Sequence, residues 1–116
     1  MSETGEQSRI MLALGSQQHI RVFRNNVGLY QNTKTGNWIR YGLCVGSADL
    51  IGWREITITP DMVGTKIAQF MSIECKAPKK SIKPGSPQEA WFFAVKRAGG
   101  VALCARSVED VRHIIT

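Results

Sequence analysis

Two rhythms of apolar and polar positions run along this chain. Over residues 6–14, Ile10, Met11, Ala13 and Leu14 recur at helical spacing, and Gly15 is placed to end that helix. From residue 20 to 24, Ile20 and Val22 alternate with Arg21 and Phe23, the period of a short strand. Asn25-Asn26-Val27-Gly28 is turn chemistry, and the polar stretch 29–36 with Lys34 reads as an exposed loop. Residues 38–45 are β-prone and interrupted by Gly42, and residues 46–53 read as a turn entering a strand. Glu55-Ile56-Thr57-Ile58-Thr59 alternates again, and 60–64 reads as a turn or a single helical turn. Residues 66–77 predict the longest strand, being largely apolar and free of breakers. A basic loop, 78–85, follows between Pro78 and Pro84.

Ser86-Pro87-Gln88-Glu89 has the grammar of a helix start. Ser86 serves as N-cap, Pro87 occupies the first helical position and Glu89 closes a capping box. Gly99-Gly100 ends that helix, Val101–Ala105 reads as a buried strand, and Ser107 opens a last helix with Val111, Ile114 and Ile115 on its apolar side. This order predicts an α/β fold in which helices flank a central mixed β-sheet, with residues 1–116 forming one domain.

Composition narrows the class. The 116 residues are 43% hydrophobic and 21% charged, the balance of a globular chain. No stretch approaches the roughly 18 apolar residues of a membrane span, and Met1–Glu6 lacks the layout of a signal peptide. Lys and Arg outnumber Asp and Glu by 15 to 9, and the net charge of +6 favours a polyanionic partner. Cys44, Cys75 and Cys104 are odd in number, sit among apolar neighbours and form no closely spaced pair, so three buried, reduced thiols of a cytosolic protein are expected. Trp91, Phe92 and Phe93 read as core, and neither His19 nor His113 is placed to act as a base.

The residues with chemistry to offer are Asp49, Glu74 and Lys76. Glu74 and Lys76 lie two apart on an expected strand, so their side chains share a face, with Ile73 and Cys75 turned the other way to pack against a helix. Asp49 leaves a glycine turn just before an apolar run. Two neighbouring carboxylates repel, and a divalent cation relieves that repulsion. Magnesium takes hard oxygen ligands, lowers the pKa of a bound water and stabilises charge on a phosphoryl group. An ammonium beside it can orient the water. From these residues alone, a surface Glu74–Lys76 ion pair and an Asp49 that merely closes a turn is the favoured reading.

The ordered set is more specific than any member. Gly46-Ser47-Ala48-Asp49-Leu50, followed some 25 residues later by Ile73-Glu74-Cys75-Lys76, resembles the PD-(D/E)xK nuclease core, whose architecture is restriction-endonuclease-like. With Glu6, Arg24-Asn25-Asn26-Val27-Gly28, Ser86-Pro87-Gln88-Glu89-Ala90-Trp91 and Ala98-Gly99-Gly100, the chain from Glu6 onward resembles the virus-type replication-repair nuclease (VRR-NUC) family. The resemblance implies that Asp49, Glu74 and the main-chain carbonyl of Cys75 bind Mg2+ or Mn2+, with Glu6 as a further carboxylate. It implies that Lys76 orients water or stabilises charge and that Gln88 supports the site or contacts the phosphate. The chain departs from the family pattern in having no Pro before Asp49 and in carrying Cys at position 75.

The implied activity is metal-dependent, structure-specific endonucleolytic cleavage of branched DNA in replication, repair or recombination, with a four-way junction as the leading substrate. Lys79, Lys80, Lys83, Arg24 and Asn26 would contact the DNA backbone, which positions a duplex without reading its sequence. Symmetric cutting of a junction calls for a homodimer, with Trp38, Ile39 and Tyr41 or the last helix as candidate interface. The small members of the family look like phage or bacterial proteins, so the expected location is the cytoplasm of a bacterial cell or phage-infected host, with no membrane partner. The alternatives are a flap or general duplex nuclease, a basic module that binds DNA without cutting it, and a subunit that assembles with a helicase or another nuclease.

Overall fold

A computed structural model describes residues 3–115. Met1 and Ser2, from the leading segment read as polar, and Thr116, at the end of the last expected helix, lie outside the described residues. The architecture is mixed α/β, with three two-stranded sheets and three α-helices among the described residues. The contacts divide the chain between Arg54 and Glu55 into two compact units.

In the first unit, helix α1 (Glu3–Gly15) leads into β1 (Ile20–Arg24). Strand β1 pairs antiparallel with β4 (Leu50–Arg54), and β2 (Gly28–Gln31) pairs antiparallel with β3 (Trp38–Tyr41). The β2–β3 hairpin is a departure from the sequence reading, which had 29–36 as a loop. Leu29 and Tyr30 suit a strand once a turn brings Trp38–Tyr41 alongside, and Asn32 makes that turn. Its backbone N–H bonds the Asn37 carbonyl (2.8 Å) and its side chain accepts from Lys34 N (2.8 Å). The Tyr41 ring lies over Gly28, where a Cβ would push it aside.

The second unit holds a 3-10 turn (Pro60–Met62), β5 (Met71–Cys75), α2 (Pro87–Arg97), β6 (Val101–Ala105), a second 3-10 turn (Val108–Val111) and α3 (Arg112–Ile115). Strands β5 and β6 are parallel, with Met71 opposite Val101 and Cys75 opposite Ala105. Helix α2 is the crossover between them, as a parallel pair requires. It starts where the sequence predicts. Ser86 Oγ accepts from Glu89 N (3.2 Å), while Glu89 Oε1 accepts from the backbone N–H of Gly85, one residue ahead of the N-cap (3.0 Å). Val95, Ala102 and Ala105 are the buried apolar residues among those described, so the core of this unit lies between α2 and β6.

Three strand expectations change. The described strands form separate pairs instead of one central sheet. Residues 55–59 form no strand, and Ile56 and Ile58 are exposed; alternation alone does not make a strand without a neighbour to bond. The long strand expected over 66–77 is ordered as β5 only at 71–75, the span that five-residue β6 can match in register. The final helix is reduced to a 3-10 turn and one α-turn.

Candidate active site

Glu74 and Lys76 share a face as their spacing requires, with Lys76 Nζ 3.8 Å from Glu74 Oε1. Gln88, in the first turn of α2, joins them. Its Nε2 donates to Glu74 Oε1 (3.1 Å), and its Oε1 accepts from Lys76 Nζ (2.9 Å). The amide thus bonds the anion through its donor end and the cation through its acceptor end, which fixes its orientation. The Ser86 cap and Pro87 hold the turn of α2 that carries Gln88. Lys76 remains held to the sheet beyond the end of β5, since its backbone N–H bonds the Ala105 carbonyl (3.0 Å). The side chains of Lys76 and Glu74 are 23% and 38% exposed, open enough for a ligand yet shielded enough to strengthen their interaction.

The opposite face of β5 overturns an expectation. Ile73 and Cys75 are exposed, and α2 packs on the Glu74 side. The indole of Trp91 ties α2 to that side, its Nε1–H donating to Ser72 Oγ (2.7 Å). The three cysteines are free thiols, but Cys44 and Cys75 are exposed rather than buried. The Cys75 carbonyl has a distinct position. The Phe70 carbonyl and the Lys76 N–H both bond β6, so by strand alternation the Cys75 carbonyl points to the other edge of β5, which has no partner strand among the described residues.

A pocket of about 230 Å³ opens beside the cluster. Glu74, Gln88 and Ser72 form its polar side, and Ile82, Pro87, Trp91, Phe92 and Leu103 its apolar wall. Trp91 and Phe92, read from sequence as core, are half-buried against this space, and Phe93 is exposed. Phe70 meets the Trp91 ring edge-on at 6.2 Å, so the indole is held by packing as well as by its hydrogen bond.

The basic loop lies between β5 and α2. Ala77-Pro78-Lys79-Lys80 closes as a turn through Lys80 N to the Ala77 carbonyl (3.1 Å), and Lys79 takes a φ of 69°. Arg106, just past β6, donates from Nε to the Lys80 carbonyl (2.8 Å) and so fastens the loop from the far side. The side chains of Lys79, Lys80 and Lys83 are exposed. Sequence reasoning missed Arg106, Ser72 and the pocket, because each depends on the β5–β6 register.

The remaining expected residues belong to the first unit. Asp49 is exposed, and its carbonyl accepts from Asn25 N (2.8 Å). Asn25, not Asn26, organises this turn. It is 8% exposed, its Nδ2 donates to Ser47 Oγ (2.6 Å) and the Ala48 carbonyl (2.9 Å), and its Oδ1 accepts from Leu43 N (3.1 Å). Asn26 is exposed. Arg24 bonds Gln7 Oε1 (3.1 Å) and Ser8 Oγ (2.9 Å) on α1, and Glu6 pairs with Arg9 (2.9 Å) on the same helix.

Among the described residues no three His, Cys, Asp or Glu side chains gather as a metal-holding group. The donors in the second unit that suit a hard cation are the Glu74 carboxylate and the outward Cys75 carbonyl. This is a short oxygen set of the kind magnesium completes with waters and substrate phosphate. No helix among the described residues is long and apolar enough to cross a membrane. The chain matches no protein-family model, no curated protein and no solved structure.

Proposed function

We propose that this chain is a divalent-metal-dependent DNA endonuclease of the PD-(D/E)xK type, acting on branched DNA. The observation that carries this reading is the Glu74–Gln88–Lys76 chain, flanked by three exposed lysines. An ion pair serving stability alone needs no amide clamped between its members, and it gains little at a partly exposed site. Pre-oriented groups of opposite charge beside a basic loop are what a phosphodiester requires.

Glu74 and the Cys75 carbonyl would hold Mg2+ or Mn2+, with Asp49 as the second carboxylate; the role of Asp49 rests on the sequence resemblance alone. When bound, the metal supplies Lewis-acid stabilisation of the phosphoryl oxygens and a more acidic water. Lys76 holds its ammonium where a phosphate oxygen or the attacking water meets it. Gln88 keeps Lys76 and Glu74 in register. Water adds to phosphorus, one P–O ester bond breaks, and the leaving oxygen takes up a proton. Lys79, Lys80 and Lys83 attract the DNA backbone without sequence preference. A homodimer would bring two such sites to one junction.

The test is cleavage of single-stranded, duplex, flap and four-way junction DNA with Mg2+ or Mn2+, alongside Lys76→Ala and Asp49→Asn. Cutting of branched DNA that stops with EDTA and with Lys76→Ala is the expected result. Full activity of Asp49→Asn would remove that residue from the site. Binding of DNA without cutting on any substrate would replace the nuclease by a DNA-binding module.

A further inference from the structure

We infer that the pocket beside Glu74 receives one unpaired nucleobase, so that the favoured substrate carries an unstacked nucleotide next to the bond that is cut. This deepens the nuclease reading and rests on it. At about 230 Å³ the pocket is below the usual range for drug-sized ligands and suits one ring system, not a duplex. Trp91 and Phe92 offer flat apolar surface, with Ile82 and Leu103 completing the wall. Stacking on such rings accepts any base, because every base has a π-face.

The polar side suits the same occupant. Ser72 Oγ accepts from Trp91 Nε1 and so keeps its own proton to donate to a base carbonyl or ring nitrogen. Because Phe70 and Ser72 fix the indole, the pocket is formed before the ligand arrives, which lowers the cost of binding. The charge around it identifies the ligand's other half. Lys76 bonds Gln88, which lines the pocket, and Lys79, Lys80 and Lys83 follow it in the chain, a setting for a phosphate rather than for a neutral apolar molecule. A base in the pocket and its phosphate at Lys76 is the arrangement of a nucleotide drawn out of the stack, which costs least where it is already unpaired.

The experiment is an abasic scan on the unaltered protein. Each nucleotide around the branch of a forked DNA is replaced in turn by an abasic residue, and binding is measured in EDTA and cleavage in Mg2+. One position, adjacent to the cut bond, is expected to lose about tenfold in affinity, and the others little. Ile82→Trp, which fills the pocket, should abolish that position's sensitivity. A flat scan, or equal cleavage of fork and plain duplex, overturns the base pocket. Cleavage with a flat scan sinks this inference alone. A sharp scan without cleavage at any metal sinks the nuclease reading and leaves the pocket standing.

Discussion

Gln88 bonds a carboxylate at one end and an ammonium at the other, which gives it a role different from either. Glu74 and Lys76 are the groups a phosphodiester would meet, whereas Gln88 sets their separation. Removing a reacting group and removing its support should therefore differ in size. Glu74→Gln and Lys76→Ala are expected to lower the single-turnover cleavage rate by at least about a hundredfold. Gln88→Ala should cost roughly ten- to a hundredfold, with part of the loss appearing as a higher metal requirement. Equal losses in all three variants would make Gln88 a reacting group. No loss in Gln88→Ala would make its hydrogen bonds incidental.

At the level of elements, the structure separates what neighbours dictate from what local sequence dictates. Strand β1, the start of α2 and strand β6 were legible because each carries its own signal: alternation at 20–24, the Ser86–Glu89 cap, and an apolar run closed off by glycine at 100. The β2–β3 hairpin was not, since Leu29 and Tyr30 gain strand character only from Trp38–Tyr41 across the turn. The unpaired alternation of 55–59 misled for the converse reason. Within the site, the shared face of Glu74 and Lys76 and the place of Gln88 at the head of a helix could be read directly. That Gln88 bridges them, and that Ile73 and Cys75 face outward, depend on how α2 settles on β5. Asn25 illustrates the same limit, as one of two adjacent asparagines with the same turn propensity. Only the fold distinguishes the buried one, which serves Ser47, Ala48 and Leu43. Asn25→Ala should lower stability by about 1–3 kcal/mol by orphaning those groups, measured as the denaturant midpoint, whereas Asn26→Ala should leave it nearly unchanged.

For the molecule as a whole, the balance of charge has more consequence than the core. Buried apolar residues are few among those described, while the net charge is +6. Association with DNA should accordingly be governed by counterion release, so that affinity falls steeply as salt rises. Replacing Lys80 or Lys83 by Ala should weaken binding about equally for every sequence and reduce the slope of log affinity against log salt by about one per lysine. A salt response unchanged by both substitutions would place the DNA elsewhere on the surface.

Lys79 differs from its two neighbours. Its φ of 69° puts a long side chain in backbone territory that glycine enters freely, at a cost of roughly 1 kcal/mol. On the proposed function, fold and ligand therefore oppose each other at this position. Lys79→Gly should raise the melting temperature and at the same time loosen the grip on DNA, whereas Lys80→Ala should only loosen it. Where Lys79 stands, the turn gives up some stability and the surface gains a charge already aimed outward before any nucleic acid arrives.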